Sequence, residues 1–405
     1  MKGLNNLYKN NYGQRKNFGH QNRNFKSFSK PKARFGGGSS IHFSKFICKA
    51  EPICESLPYM PENKFEDFNI TQALRANIIK KGYIDPTPIQ DLAIPFILQG
   101  RDVIGIANTG TGKTAAFLIP LLNKIISNPK EKVLIMVPTR ELAIQINQEF
   151  FEFSRNMRIF SVCCVGGVST YNQVSSLRRN HNIVIGTPGR LKDLVNRKVI
   201  NLSSFNTIVL DEADRMLDMG FVNDMRLIMQ SMPKSRQTLF FMATVTRELD
   251  KLIKEFLTNP QEVKVKTRET SKNVDQNIVR VGSSQDKLDS LHNLLIKKEF
   301  SKVLIFGRTK HGVERLCQTL VKKGFKAESI HGDKPQGKRQ TALRMFRENY
   351  SQILVATDVA ARGLDIPNVS HVINYDVPEN YEDYVHRIGR TGRGNQVGTA
   401  LTFIQ

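Results

Sequence analysis

The run Ala107-Asn108-Thr109-Gly110-Thr111-Gly112-Lys113-Thr114 constrains this chain more than any other. The apolar Val103-Ile104-Gly105-Ile106 leads into it, and Ala115-Ala116-Phe117-Leu118-Ile119 follows with helical character. A strand, a glycine turn and Gly-Lys-Thr opening a helix make the P-loop layout. Glycines let backbone N–H groups close around phosphate oxygens, and the helix N-terminus adds positive field there. Lys113 is placed to reach the outer phosphates, and the Thr114 hydroxyl to hold Mg²⁺. A glycine-rich turn capping an ordinary helix needs no such combination of strand, lysine and threonine. Ala107 stands where the general pattern has its first glycine.

A P-loop needs a parallel sheet around it, and the downstream sequence supplies one. Val133–Val137, Ile159–Val165, Ile183–Ile185, Ile208–Leu210 and Leu239–Met242 are short apolar runs separated by helical segments. That alternation predicts an α/β domain, a mainly parallel sheet flanked by helices. Ligands bind beyond the carboxyl ends of such strands. The loops there read Pro138-Thr139-Arg140-Glu141-Leu142, Gly166-Gly167, Thr187-Pro188-Gly189-Arg190 and Asp211-Glu212-Ala213-Asp214. Asp211, at a strand tip, is placed to hold Mg²⁺, and Glu212 to orient or deprotonate the attacking water. An acidic helix N-terminus alone would account for the acids but not for their place after a strand downstream of a P-loop.

The polar stretch 266–276 reads as a linker. A second alternating series follows, from Ile278–Val281 through Val303–Phe306, Ala327–Ile330, Ile353–Ala356 and His371–Ile373 to Thr399–Phe403, with no P-loop of its own. The expected domains are therefore 61–265 and 277–405, the second closing over the nucleotide of the first. His386-Arg387-Ile388-Gly389-Arg390-Thr391-Gly392-Arg393 offers arginines for that purpose, since guanidinium groups supplied across an interface stabilise phosphoryl-transfer charge. Before the P-loop, Gly82-Tyr83-Ile84-Asp85-Pro86-Thr87-Pro88-Ile89-Gln90 reads as a loop entering a helix. The Gln90 amide suits adenine N6 and N7, and the Tyr83 ring suits stacking on the base.

The first 50 residues carry Lys and Arg throughout, aromatic residues between them, and no Asp or Glu. Such a composition buries too little apolar surface to fold alone. Residues 1–60 therefore read as a disordered basic arm that binds single-stranded RNA through phosphate contacts and base stacking. A net charge of +23 points the same way, to a polyanion, nucleic acid ahead of an acidic membrane. No apolar run reaches the roughly 20 residues of a membrane span, and the basic start has no apolar signal core. The five cysteines lack paired CxxC spacing, which argues against zinc and for a reducing, cytoplasmic compartment.

From about Phe65 onward these motifs, in this order, resemble the DEAD-box RNA helicases of superfamily 2. The resemblance implies two RecA-like domains, ATP and Mg²⁺ as cofactors, and RNA gripped by its backbone with little sequence preference. It implies Walker A roles for Ala107 to Thr114 and Walker B roles for Asp211 and Glu212. Phe65 would be the aromatic upstream of an adenine-sensing segment that includes Tyr83 and Gln90. Asp365 would approach the ribose, and Arg390 and Arg393 would be arginine fingers. The RNA track would run over Pro138, Thr139, Arg140, Gly166, Gly167, Thr187, Pro188, Gly189 and Arg190. On the second domain it would use His331, Gly332, Asp333, Thr357, Asp358, Arg362 and Gly363. Two departures stand out. Met242-Ala243-Thr244 replaces the family's Ser-Ala-Thr, which implies weakened coupling of hydrolysis to strand separation through Met242, Ala243, Thr244, Asp214 and His386. After Thr399–Phe403 the chain stops at Gln405, where the family adds a helix. The expected protein is a monomeric ATP-dependent RNA helicase. An ATP-gated RNA clamp or annealing chaperone, and a DNA translocase, are the alternatives.

Overall fold

The computed structural model describes residues 41–51, 59–108, 110–265, 273–361, 366–392 and 397–404. Thr109, Arg362, Gly363, Asp365, Arg393 and the basic stretch 1–40 lie outside them.

The first sheet has seven strands: β1 Val103–Ile106, β2 Val133–Met136, β3 Ser161–Cys164, β4 Ile183–Gly186, β5 Thr207–Asp211, β6 Gln237–Met242 and β7 Gln261–Lys264. Their order is β3-β4-β2-β5-β6-β1-β7, and every pairing is parallel. β1, β2, β4, β5 and β6 are buried along their whole length. Helices cover both faces, as an all-parallel sheet requires. β7 has no counterpart in the expected strands. Only Val263 in it is buried, so this edge strand presents no apolar run to read.

The second sheet comprises β8 Val274–Arg280, β9 Val303–Phe306, β10 Ala327–Ile330, β11 Ile353–Ala356, β12 His371–Asn374 and β13 Gly398–Ile404. It is ordered β10-β11-β9-β12-β13-β8 and is again parallel throughout. β8 starts inside the expected linker, because its buried Val274 and Gln276 alternate with exposed Asp275 and Asn277. That edge pattern reads as polar chain.

Part of the stretch 1–60, expected as an arm, is packed. Ile41–Glu51 lies against the second sheet: Phe43–Phe46 forms a 3₁₀ turn, Phe46 is buried, and Cys48 makes an antiparallel bridge to Gln276 of β8. Mean composition hid one well-placed aromatic residue.

No hydrophobic cluster spans the two sheets among the described residues. Two clusters draw on residues between Phe65 and Val263, and two on Phe46 and residues between Val274 and Phe403. The sheets therefore meet through polar groups. Around the first sheet, the P-loop, Asp211 and the segment after Met242 leave the carboxyl ends of β1, β5 and β6, which are neighbours. One cluster of loops results.

Candidate active site and nucleic-acid track

The P-loop is shaped by two glycines with positive φ, Gly110 at +82° and Gly112 at +92°. Gly112 caps the helix Lys113–Ser127 in the left-handed region, where a side chain would be strained and would also collide with Gln90. Lys113 is buried, and its Nζ donates to the Ala107 carbonyl at 2.8 Å. The Thr111 hydroxyl donates to the Asn108 carbonyl at 2.8 Å. The loop is thus closed on itself, with Lys113 folded across it and Thr114 in the first helical turn.

Gln90, expected to read adenine, is bonded within the chain. It is fully buried, and its Nε2 donates to the Gly112 carbonyl at 3.1 Å while its Oε1 accepts from Thr87 N at 3.0 Å. Thr87 and Gln90 form a capping box on helix Pro88–Leu98, and the Gln90 amide ties that helix start to the P-loop. Phe65 is buried, and the Tyr83 ring meets the rings of Phe65 and Phe153 edge-on, at 6.0 and 5.7 Å. Both rings pack edge-on against neighbouring rings, a geometry that aromatic quadrupoles favour.

β5 ends at Asp211, and Glu212 turns the chain into the helix Ala213–Asp218 with φ +53°. A non-glycine residue there carries local strain of about 1–3 kcal/mol and is held by its surroundings. Glu212 is buried in an ion pair with Arg215. Burial alone would raise its pKa, but Arg215, Lys113 and Arg390 outweigh burial and hold it below the usual carboxylate range. Asp211 goes the other way. Burial lifts its carboxyl to about 7, despite the opposing pull of Lys113. Two adjacent acids are thereby set far apart, one firmly anionic and one poised near neutrality.

Asp214 joins β5 to β6. Its Oδ2 accepts from the backbone N–H groups of Ala243 and Thr244, both at 2.9 Å, and from the Thr244 hydroxyl at 3.3 Å. Met242 takes no part in these bonds. Its side chain is fully buried with Leu210, Phe240 and Ile104. Asp214 is thus held by two backbone donors and the Thr244 hydroxyl, none of them from residue 242. Met242→Ser removes packed volume and buries a hydroxyl, so it lowers stability by about 2–4 kcal/mol. Urea unfolding of the variant checks this.

A cavity of about 350 Å³ lies between the sheets, lined by Lys113, Glu212, Asp214 and Thr244 from one side and His386 and Arg390 from the other. Arg390 is buried, and its Nε donates to the His386 carbonyl at 3.3 Å. Asp358, expected on the RNA track, holds Arg387 as a two-pronged pair at 2.6 and 2.7 Å. Arg387 also donates to the Asp376 carbonyl, so it braces the turn that carries Arg390. A planar guanidinium suits that bidentate task.

The remaining track residues fall at one edge of each sheet. β3, β4 and β2 are adjacent, so Gly166-Gly167, Thr187-Pro188-Gly189-Arg190 and Pro138-Thr139-Arg140 emerge side by side. The Arg140 guanidinium lies over Gly166 and Gly167, where any Cβ would strike it. Gln173 joins the pieces: its Nε2 donates to Val165 O at 2.9 Å, and its Oε1 accepts from Arg190 at 2.9 Å. The Thr139 hydroxyl caps helix Arg140–Phe153 through Leu142 N, and Pro188 opens helix Pro188–Asn196. Two helix N-termini and the glycine turn form one ledge, a geometry whose positive field suits anions. In the second sheet, β10 and β11 are adjacent and bring His331-Gly332-Asp333 beside Thr357. His331 is bonded to Glu314 at 3.1 Å, and Asp333 to Lys310 at 2.8 Å.

Sequence reading missed the contact that joins the halves. Glu141 accepts from Gln336 Nε2 at 3.1 Å and pairs with Arg339 at 2.8 Å, all three buried. Arg347 donates to Gln145 at 3.3 Å beside them. The available signal was the i,i+3 spacing of Gln336 and Arg339 at the start of a helix, two polar groups on one face.

Residues 87–252 match the DEAD/DEAH box helicase family, and residues 286–395 match the helicase conserved C-terminal domain. The DEAD-box ATP-dependent RNA helicase CshA of Bacillus subtilis is 46% identical over 342 residues, covering 84% of this chain and 69% of the relative. ATP-dependent RNA helicase CshA of Listeria monocytogenes is 44% identical over 344 residues, covering 84% and 66%. Among solved structures, S. cerevisiae Dbp5 bound to RNA and ADP BeF3 is 31% identical with a TM-score of 0.74, covering 84% of this chain and 89% of that one. Mss116p bound to ssRNA and AMP-PNP is 30% identical with a TM-score of 0.73, covering 83% and 72%. With the P-loop, the Asp211–Asp214 tetrad and the arginine turn gathered around one cavity, the chain belongs to the DEAD-box helicase family.

Proposed function

We propose that the chain hydrolyses ATP to ADP and phosphate when RNA is bound, and uses that cycle to open short RNA duplexes. The observation that carries this reading is that Lys113 and Glu212 from the first half and Arg390 from the second line one cavity. Lys113 is freed from the Ala107 carbonyl to meet the outer phosphates. Glu212, held strongly anionic, is a weak base, so it orients the attacking water rather than fully removing its proton. Arg390, with Arg393, meets the charge that develops on the transferred phosphoryl group. Asp365 completes the ribose side. The hard oxygens of Thr114 and Asp211 suit Mg²⁺, and burial of Asp211 is relieved if a divalent cation stands beside it. Such a cation would neutralise phosphate charge.

The ledge at β3, β4 and β2 and the loops after β10 and β11 grip phosphates, which makes binding largely indifferent to sequence. The basic stretch 1–40 adds charge to that grip. Among the described residues no helix is long and apolar enough to cross a membrane. A monomer working on cytoplasmic RNA fits this set of features.

Steady-state ATPase with single-stranded RNA, and with single-stranded DNA as control, tests the reading. RNA-selective stimulation is expected, and equal stimulation by DNA overturns it. Asp211→Asn adds a second check, because it abolishes turnover yet stabilises the nucleotide-free chain at alkaline pH. The folded carboxyl titrates near 7 and the unfolded one near 3.8. Between those values the folded chain holds a proton that the unfolded chain lacks, so stability falls as pH rises through that window. The melting advantage of Asp211→Asn therefore grows from pH 4 to pH 7 and is constant above it. Each kcal/mol recovered raises the melting temperature by roughly 2–4 °C for a domain of this size. Added Mg²⁺ narrows the gap.

A further inference from the structure

Helix Tyr381–Ile388 has two working faces. One, with Tyr381, Val385 and His386, lines the nucleotide cavity and leads into Gly389 and Arg390. The other faces the chain's own N-terminal segment. Tyr384 is fully buried, and its ring stands 4.7 Å from that of Phe46, which is itself buried. The Tyr384 hydroxyl donates to Gln276 Oε1 at 2.9 Å. Gln276 is also the residue whose backbone exchanges both hydrogen bonds with Cys48, at 2.7 and 3.1 Å. Lys45 lies over the Tyr381 ring at 5.2 Å, and Ala50 N donates to Asp275 at 2.8 Å.

Residues 41–50 thus add a short antiparallel partner to the edge strand β8 and press one aromatic residue against the back of the arginine-bearing helix. Edge addition supplies backbone hydrogen bonds, and the buried ring fixes register. An exposed tail would need neither. We infer that Ile41–Ala50 is an intrachain strap, with Phe46 as a positioning residue that holds Arg390 at the nucleotide. The inference rests on the reading of Arg390 as the group that meets the transferred phosphoryl.

The consequence is kinetic. Misplacing a catalytic group by about 1 Å costs up to roughly 10²-fold in rate. Phe46→Ala in the full chain should lower kcat at saturating RNA by about 10-fold, with the KM for ATP changed less than about 2-fold, since the P-loop belongs to the other sheet. Phe46→Leu keeps an apolar anchor and should recover most of the rate. Asp275→Ala loosens the strap at Ala50 without touching the core, so it keeps the test available if Phe46→Ala folds poorly. It should slow turnover by about 3-fold. The decisive arm repeats Phe46→Ala in an Arg390→Ala background. A residue that acts through Arg390 adds almost nothing once Arg390 is gone, whereas a merely structural residue costs the same in both backgrounds. Equal losses in the two backgrounds, or an undiminished kcat for both Phe46→Ala and Asp275→Ala, overturn the strap. If Arg390→Ala itself keeps full turnover, the assignment of Arg390 fails instead.

Discussion

Arg390→Ala lowers RNA-stimulated ATP hydrolysis by roughly 10³–10⁵-fold while ATP still binds. The size follows from where the guanidinium sits. Arg390 is buried at the cavity wall opposite Lys113 and Glu212, out of bulk water, where a charge acts with little screening. In the proposed cycle it reaches the nucleotide only when the two sheets are together, so its contribution should belong to the transition state of the closed form and not to ATP capture. ATP capture rests on the P-loop, all of which is on the first sheet. Single-turnover hydrolysis with saturating RNA, beside equilibrium binding of a fluorescent ATP analogue, separates the two. A loss of binding equal to the loss of rate would show that Arg390 holds the ground state. Lysine at this position should recover little, because a single ammonium lacks the planar fork. The variant has a second effect on the same wall. Without Arg390, one of the three cations that offset burial of Glu212 is gone, so the Glu212 pKa moves upward. Residual activity should then fall at a higher pH than in the parent as the solution is acidified.

What the sequence made legible was whatever is local. The P-loop, the acids at the tip of β5 and the alternating runs are each contained in about ten consecutive residues, and the parallel sheets followed from them. Contacts with partners far along the chain are not legible in the sequence. The bond from Gln90 to the Gly112 carbonyl spans 22 residues. The two-pronged hold of Asp358 on Arg387 spans 29. The inward turn of Met242 shows only in its burial among Leu210 and Phe240. Edge elements were invisible for a different reason. β7 and the start of β8 are half-exposed, so their apolar residues are too sparse to stand out, and Phe46 is a single buried ring in a basic stretch.

The pairing of Glu141 with Arg339 predicts the second large effect. These residues are separated by nearly half the chain, and Gln336, the other partner of Glu141, lies 195 positions from it. Because no hydrophobic cluster bridges the sheets among the described residues, the halves are free to part, and relative motion is the default for a polar interface of this kind. Opening returns Glu141 and Arg339 to water, whereas closing buries both. Arg339→Ala therefore leaves the open form almost unchanged and strands a buried carboxylate in the closed form. Removing one partner of a buried pair costs about 3–5 kcal/mol, which shifts the closing equilibrium by roughly 10²–10³-fold or more. ATP and RNA each favour closure in the proposed cycle, so the variant should bind either one alone nearly as before and lose most of their mutual enhancement. RNA affinity measured with and without a non-hydrolysable ATP analogue reads this directly. Glu141→Gln on top of Arg339→Ala removes the stranded charge and should recover part of the coupling. An amide at 141 still accepts from Gln336, so the recovery is a matter of charge and not of shape. If Arg339→Ala keeps the full enhancement, closure is driven by the ligands alone and the pair is incidental to it.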